Sequence, residues 1–194
     1  MTRASDGYLL EPEDPPSKRE ILAAALQLFV QKGLGETSIR DIGQAAGYTN
    51  PALYKFFPTK DALALYLFER CYLHVFETVT AHTEGTRYPT SIKAFVTAWG
   101  ELVEHHLPAL LYVDEQLRNM WPHVRPTVRR RSLIAHVESL LPARCAEPRT
   151  AVALVLGTCA QLARQRFFDK HTKAPELHAL ESLLVRGLDS GGKS

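Results

Sequence analysis

Residues 37–60, TSIRDIGQAAGYTNPALYKFFPTK, constrain this chain more than any other stretch. They read as two short helices separated by the tight turn Ala46-Gly47-Tyr48. Thr37 is placed to cap the first helix, over 38–46, and Ile39 and Ile42 give it an inward face at helical spacing. Gly47 breaks it and supplies a position that tolerates positive φ, as a sharp turn needs. Ala45 and Ala46 keep that helix thin, so a second helix can cross it closely. Thr49 caps the second helix, which carries Leu53, Tyr54 and Phe56. Pro51 lies in its first turn, where no intrahelical N–H bond is lost. Pro58 ends it, Thr59 caps again, and a long helix runs from Lys60 to about residue 83. This spacing is the helix-turn-helix pattern. Such a motif offers the first residues of its second helix to base edges in the major groove. The free N–H groups there favour phosphate.

The rest of the chain reads as helix too. Ser17 with Glu20 three residues on is a capping-box signal. Ile21, Leu22, Ala25, Leu28 and Phe29 follow at helical spacing, and Gly33 and Gly35 close that helix. After a loop at 84–89, helices are expected over 90–106, 109–120, 126–141, 148–169 and 175–188, punctuated by Pro108 and Pro122. No stretch alternates as a strand would, and no repeat or low-complexity tract occurs. The expected fold is all-α with about nine helices. The expected divisions are a disordered arm over 1–16, a DNA-binding domain over 17–62, an effector-binding and dimerisation domain over 63–188, and a disordered tail over 189–194.

Composition excludes several classes. Apolar residues make up 45% of the 194 and charged residues 23%, ordinary for a globular chain. A net charge of only +2 excludes a basic nucleic-acid coat, so charge has to be read locally. Residues 1–16 hold Arg3 against Asp6, Glu11, Glu13 and Asp14, a net −3. Residues 17–60 hold Lys18, Arg19, Lys32, Arg40, Lys55 and Lys60 against Glu20, Glu36 and Asp41, a net +3. Positive potential, which attracts phosphate, starts with the first helix. Cys71, Cys145 and Cys159 are odd in number, far apart and in apolar contexts, so buried free thiols in a reducing compartment are expected. No secretory leader or membrane-spanning run is evident, and a cytoplasmic location is expected. His105 and His106 are adjacent and point to different helix faces, and no HExxH, GxSxG, P-loop or GxGxxG occurs. No metal, cofactor or enzymatic activity is therefore expected. Arg129-Arg130-Arg131 reads as a solvated helix face.

The run T-S-I-R-D-I-G-Q-A-A-G-Y-T-N-P-A-L-Y-K-F-F-P-T-K-D-A-L resembles the signature of the TetR/AcrR family of transcriptional regulators. The matching parts are the T-[TS]-[VI]-x-x-I-A opening, the A-G turn, L-Y-x-x-F on the recognition helix and x-x-K-[ED]-x-L opening the fourth helix. I-L-A-A-A-L-Q-L-F-V-Q-K-G matches the family's first helix, so the resemblance covers residues 18–65. Two positions depart from the pattern: Gly43 stands where alanine is usual, and Tyr48 replaces a small aliphatic residue. Carried over by position, Arg40, Asn50, Pro51 and Lys55 are candidates near base edges. Thr37, Ser38, Thr49, Tyr54 and Lys60 are candidates for phosphates. Tyr54 as a helix-packing aromatic and Lys60 as a solvated lysine stay open beside these roles. Phe56 and Phe57 read as core.

The resemblance implies a homodimer on palindromic double-stranded operator DNA, expected to be a repressor released by a small-molecule effector. Phe95, Trp99, Val103, Tyr112, Trp121, Phe167 and Phe168 lie where the family forms its effector pocket, with ordinary core packing as the alternative for each. The last two helices are expected to build the dimer, through Val152, Val155, Leu156 and Cys159 on one and Leu177, Leu180 and Leu184 on the other. Completion of a single chain's own core is the alternative there. The rival for the whole chain is a ligand-binding or enzymatic helical bundle with a non-functional helix-turn-helix.

Overall fold

The computed structural model describes residues 4–168 and 177–190. The expected helix positions 169, 175 and 176, residues 1–3 of the arm and residues 191–194 of the tail lie outside these. The described residues are all-helical, with ten α-helices: α1 (Pro16–Lys32), α2 (Ile39–Ala46), α3 (Asn50–Tyr54), α4 (Lys60–Thr83), α5 (Thr90–His105), α6 (Leu107–Met120), α7 (Pro126–Arg129), α8 (Leu133–Leu140), α9 (Pro148–Phe168) and α10 (Leu177–Ser190). Short 3-10 turns lie at Ala4–Leu9 and Trp121–His123. The single helix expected over 126–141 is divided, because Ser132 takes an extended conformation and caps α8 through Ala135 N–H at 3.2 Å. Pro108 does not end α5. It sits in the first turn of α6, a position proline tolerates. Asp189 and Ser190, expected in the tail, lie in α10.

Two compact units are formed. One comprises the described residues up to His74 together with Pro108–Arg129. Its core holds Ile21, Leu22, Phe29, Ile42, Leu53, Leu63, Phe68 and Tyr112. Phe29 stacks on Tyr112 at 5.6 Å, and the Tyr112 hydroxyl donates to Ala64 O at 3.0 Å, so the buried phenol is satisfied.

The described part of the acidic arm makes contacts within this unit. Leu9 is fully buried, Tyr8 stacks on His74 at 4.1 Å, and Arg70 donates to the carbonyls of Tyr8 (2.9 Å) and Leu10 (2.6 Å). Asp14 takes hydrogen bonds from Lys18 (2.8 Å) and Tyr66 (2.8 Å). Partial burial pushes the Asp14 carboxyl up, but those bonds and the Glu11 N–H outweigh it and hold it below its usual range. The Ser17–Glu20 capping box is absent. Helix α1 begins at Pro16 after an extended Pro15 with no side-chain cap, which leaves Glu20 free for another partner.

The other unit comprises Val75–Leu107 and the described residues from Arg130 on. Here α5 packs against α9 and α10, and α8 against α9. Ile92, Phe95, Val96, Val137, Val155 and Cys159 form its interior. Ser91 Oγ donates to Leu140 O at 2.8 Å, and the Tyr88 hydroxyl reaches Val185 O at 3.1 Å and Asp189 at 2.6 Å. The three-arginine run is tied down in part: Arg129 donates to Pro122 O at 2.7 Å and Arg131 pairs with Glu77 at 2.8 Å. Cys71 and Cys159 are buried free thiols, with Cys159 pushed up to about 12 by burial, whereas Cys145 is only half-buried.

Candidate nucleic-acid interface

The site is built on two caps and a turn. Ser38, not Thr37, caps α2. Its hydroxyl accepts from Asp41 N–H at 3.1 Å, and the Asp41 carboxylate accepts from Ser38 N–H at 2.9 Å, a reciprocal capping box. The backbone N–H of Ser38, then its hydroxyl, hold the Asp41 carboxyl below its usual range. Thr37 is 1% exposed and its hydroxyl donates to Gly33 O at 2.8 Å. Lys60 Nζ donates to Leu34 O (2.9 Å), Thr37 O (3.0 Å) and Gly35 O (3.5 Å). Both residues pin the α1–α2 loop. The Thr37 side chain is enclosed, and the Lys60 ammonium has its three donors on carbonyls. Lys60 is equally not a simply solvated lysine.

Gly47 closes α2 at φ 77°, where a side chain would be strained. Tyr48 N–H then donates to Gly43 O at 2.8 Å, folding the turn back on α2. Thr49 occupies the N-cap of α3, but its side chain makes no capping bond. Leu53 is fully buried and anchors α3, while Thr49, Asn50, Pro51, Tyr54 and Lys55 are exposed. Tyr54 is 51% exposed. Phe57 is buried and Phe56 half-buried, as core residues should be. Arg40 is exposed on α2, and Ser38 is exposed with its hydroxyl engaged by Asp41 at 2.7 Å. The exposed side chains of α2, α3 and their caps therefore include a guanidinium, an ammonium, a phenol, a hydroxyl and an amide. This set can neutralise phosphates and read a base edge.

The family model described as "Bacterial regulatory proteins, tetR family" matches residues 21–67, the stretch that forms this scaffold. The chain is 30% identical over 141 residues, 68% of its length, to the uncharacterized HTH-type transcriptional regulator YuxN of Bacillus subtilis. It is 31% identical over 117 residues, 55% of its length, to the HTH-type transcriptional repressor KstR2 of Mycolicibacterium smegmatis. Over residues 21–67 the chain belongs to the tetR family. It spans about half the length of these two relatives, 47% and 54%. The fold is similar to that of a TetR-like transcriptional regulator from Rhodococcus sp. RHA1: TM-score 0.75 at 20% identity, covering 92% of this chain and 99% of the other.

The residues expected to line an effector pocket fall in both units. Phe95 is fully buried and stacks on Trp99 at 5.8 Å; with Val103 they belong to the second unit. Tyr112 is core of the first unit, and Trp121 packs on Tyr72 there at 5.0 Å. Phe167 is half-buried near the end of α9, and Phe168 is 83% exposed. Trp99 is 7% exposed, and its Nε1–H finds no acceptor among the described residues. A cavity of about 620 Å³ that sequence reasoning missed lies elsewhere in that unit, lined by Glu77, Thr80, Thr83, Glu84, His136 and Ser139 among others. Burial lowers the His136 pKa, and its Nε2 pairs with the Thr83 hydroxyl at 2.9 Å. No signal marks this cavity in the sequence, because its walls come from separate helices.

The expected dimer set divides. Val152, Val155, Cys159 and Leu184 are at most 5% exposed within one chain. These four belong to the chain's own core. Leu156, Leu177 and Leu180 are half-buried, and Leu177 lies against Gly100 of α5. What remains outside is Leu154 (46% exposed), beside Gly187, and Leu183 (62% exposed). Among the described residues no group of three metal-ligating side chains comes together, and no helix is long and apolar enough to cross a membrane.

Proposed function

We propose that the chain is a ligand-responsive transcription regulator whose homodimer binds a palindromic double-stranded DNA operator in the cytoplasm. The carrying observation is the division of α3: Leu53 is fully buried, while Asn50, Pro51, Tyr54 and Lys55 stand exposed beside Thr49 and Arg40. A helix so anchored and so edged is positioned to enter a major groove. The DNA-facing set is Ser38, Arg40, Thr49, Asn50, Pro51, Tyr54 and Lys55. Residues 17–62 carry DNA binding, and residues 63–188 carry effector binding and dimerisation. A repressor fits the similarity to the transcriptional repressor KstR2. Two recognition helices must stand roughly 34–36 Å apart to enter successive grooves. An effector that favours another spacing lowers DNA affinity by linkage. Leu154, Leu156, Leu180 and Leu183 are the apolar side chains left for the partner copy. No observation favours the rival reading of a bundle with an idle motif.

Two substitutions test this reading in competitive DNA binding. Tyr54→Phe removes a phosphate contact and should weaken all duplexes by a similar factor. Asn50→Ala should change which duplex is selected, since an asparagine amide pairing with adenine discriminates by about 1–3 kcal/mol. Unchanged selection by Asn50→Ala discards the base-reading role.

A further inference from the structure

The two departures from the family pattern, Gly43 and Tyr48, are one feature in three dimensions. A Cβ added at Gly43 would lie 2.8 Å from Tyr48 O and 3.3 Å from Asn50 Oδ1. The first distance is shorter than real Cβ contacts, and the atom met is backbone. Glycine at 43 is therefore what lets the turn close on α2 and lets the Asn50 side chain rest there. The same turn is tied at its other side. The Tyr48 hydroxyl donates to the Glu20 carboxylate on α1, 28 residues away. A small aliphatic residue at 48 could not make that bond, and an alanine at 43 would push against the carbonyl of the residue that makes it. The bond raises the Tyr48 pKa, with lesser contributions from burial and the carboxylate charge. Glu20 is available because α1 starts on Pro16 with no side-chain cap.

We infer that Gly43, Tyr48 and Glu20 act together as a latch that fixes α3 and the Asn50 amide against α1 and α2, and so sets which operator the chain prefers. The inference rests on the DNA-reading role proposed above. None of the three latch groups is assigned a contact with DNA; they are positioning residues. α3 has only five residues and its N-cap side chain makes no bond, so its own hydrogen bonds hold it weakly. Tethering the turn to α1 supplies the missing restraint. A restrained amide discriminates between bases better than one free to follow either, because less freedom is lost in the correct complex.

The test uses the full chain and two duplexes: the sequence that wild-type protein selects from a random-sequence library, and a scrambled duplex of equal composition. Tyr48→Phe and Glu20→Ala should each reduce the ratio of selected to scrambled affinity by about five- to tenfold, with scrambled affinity unchanged. The double variant should lose no more than either single one. Glu20→Gln keeps an acceptor and should restore most of the ratio, while Gly43→Ala should shift the sequence selected. An unchanged ratio in Tyr48→Phe, or equal losses on both duplexes, overturns the latch. Amide exchange in the free protein decides it without DNA. Tyr48→Phe should speed exchange at Ala52 and Leu53, whose N–H groups bond Thr49 O, and leave Leu63 at the start of α4 unchanged. Equal exchange in wild type and Tyr48→Phe overturns the latch. Wild-type protein that selects no sequence refutes the DNA-reading role instead, and the exchange result then still decides whether the latch restrains α3.

Discussion

Ser38 and Thr37 are neighbours of similar chemistry with opposite fates. Either could cap a helix, and Asp41 decides for Ser38 because it stands three residues further on and completes the reciprocal pair. That signal was legible in the sequence. The bond from Thr37 to Gly33 O was not, since it depends on how the α1–α2 loop closes. Nor was the turning of Lys60 onto three carbonyls. Ser38→Ala should therefore destabilise the chain by about 1 kcal/mol, read as a lowered denaturant midpoint. The acid response follows from Asp14 and Asp41. Both carboxyls sit below their unfolded value when folded, so their stabilisation is fully present above that value. It is lost as pH falls through the lower folded value. Asp41→Asn should show a deficit against wild type at neutral pH that shrinks as pH falls below the ordinary aspartate range. A deficit independent of pH contradicts this.

The long helices follow from the spacing of apolar residues between prolines and glycines, and α4 has the start and end expected of it. The N-terminal segment reads differently in sequence and in structure. Prolines and acids dominate residues 1–16, which is the composition of a disordered arm. The three apolar residues Tyr8, Leu9 and Leu10 override it, because Arg70 and His74 on α4 receive them from some 60 positions away. Local composition carries no trace of partners so distant. Leu9→Ala should then cost about 2–4 kcal/mol in unfolding free energy, as for other buried leucines. It should also open residues 4–14 to protease. An arm that only drifts in solvent would leave stability unchanged and be cut equally in both proteins.

Across the whole molecule, periodicity identifies apolar faces but not whose core they complete. Leu183 and Leu184 are neighbours in one leucine-rich helix, and only structure separates them: Leu183 is 62% exposed and Leu184 3%. Leu183→Glu should yield a folded monomer in sedimentation, while Leu184→Glu should unfold α10 from its own chain by burying an unpaired charge. A Leu183→Glu protein that remains dimeric removes that face from the interface. The central claim is that α2 and α3 present cations to phosphates, and the salt dependence of duplex binding tests it most directly. Arg40 and Lys55, doubled in a dimer, predict that log affinity falls against log salt with a slope of about −3 to −4. Arg40→Ala should make that slope shallower by about 2. A slope near zero in the wild-type protein would contradict the account.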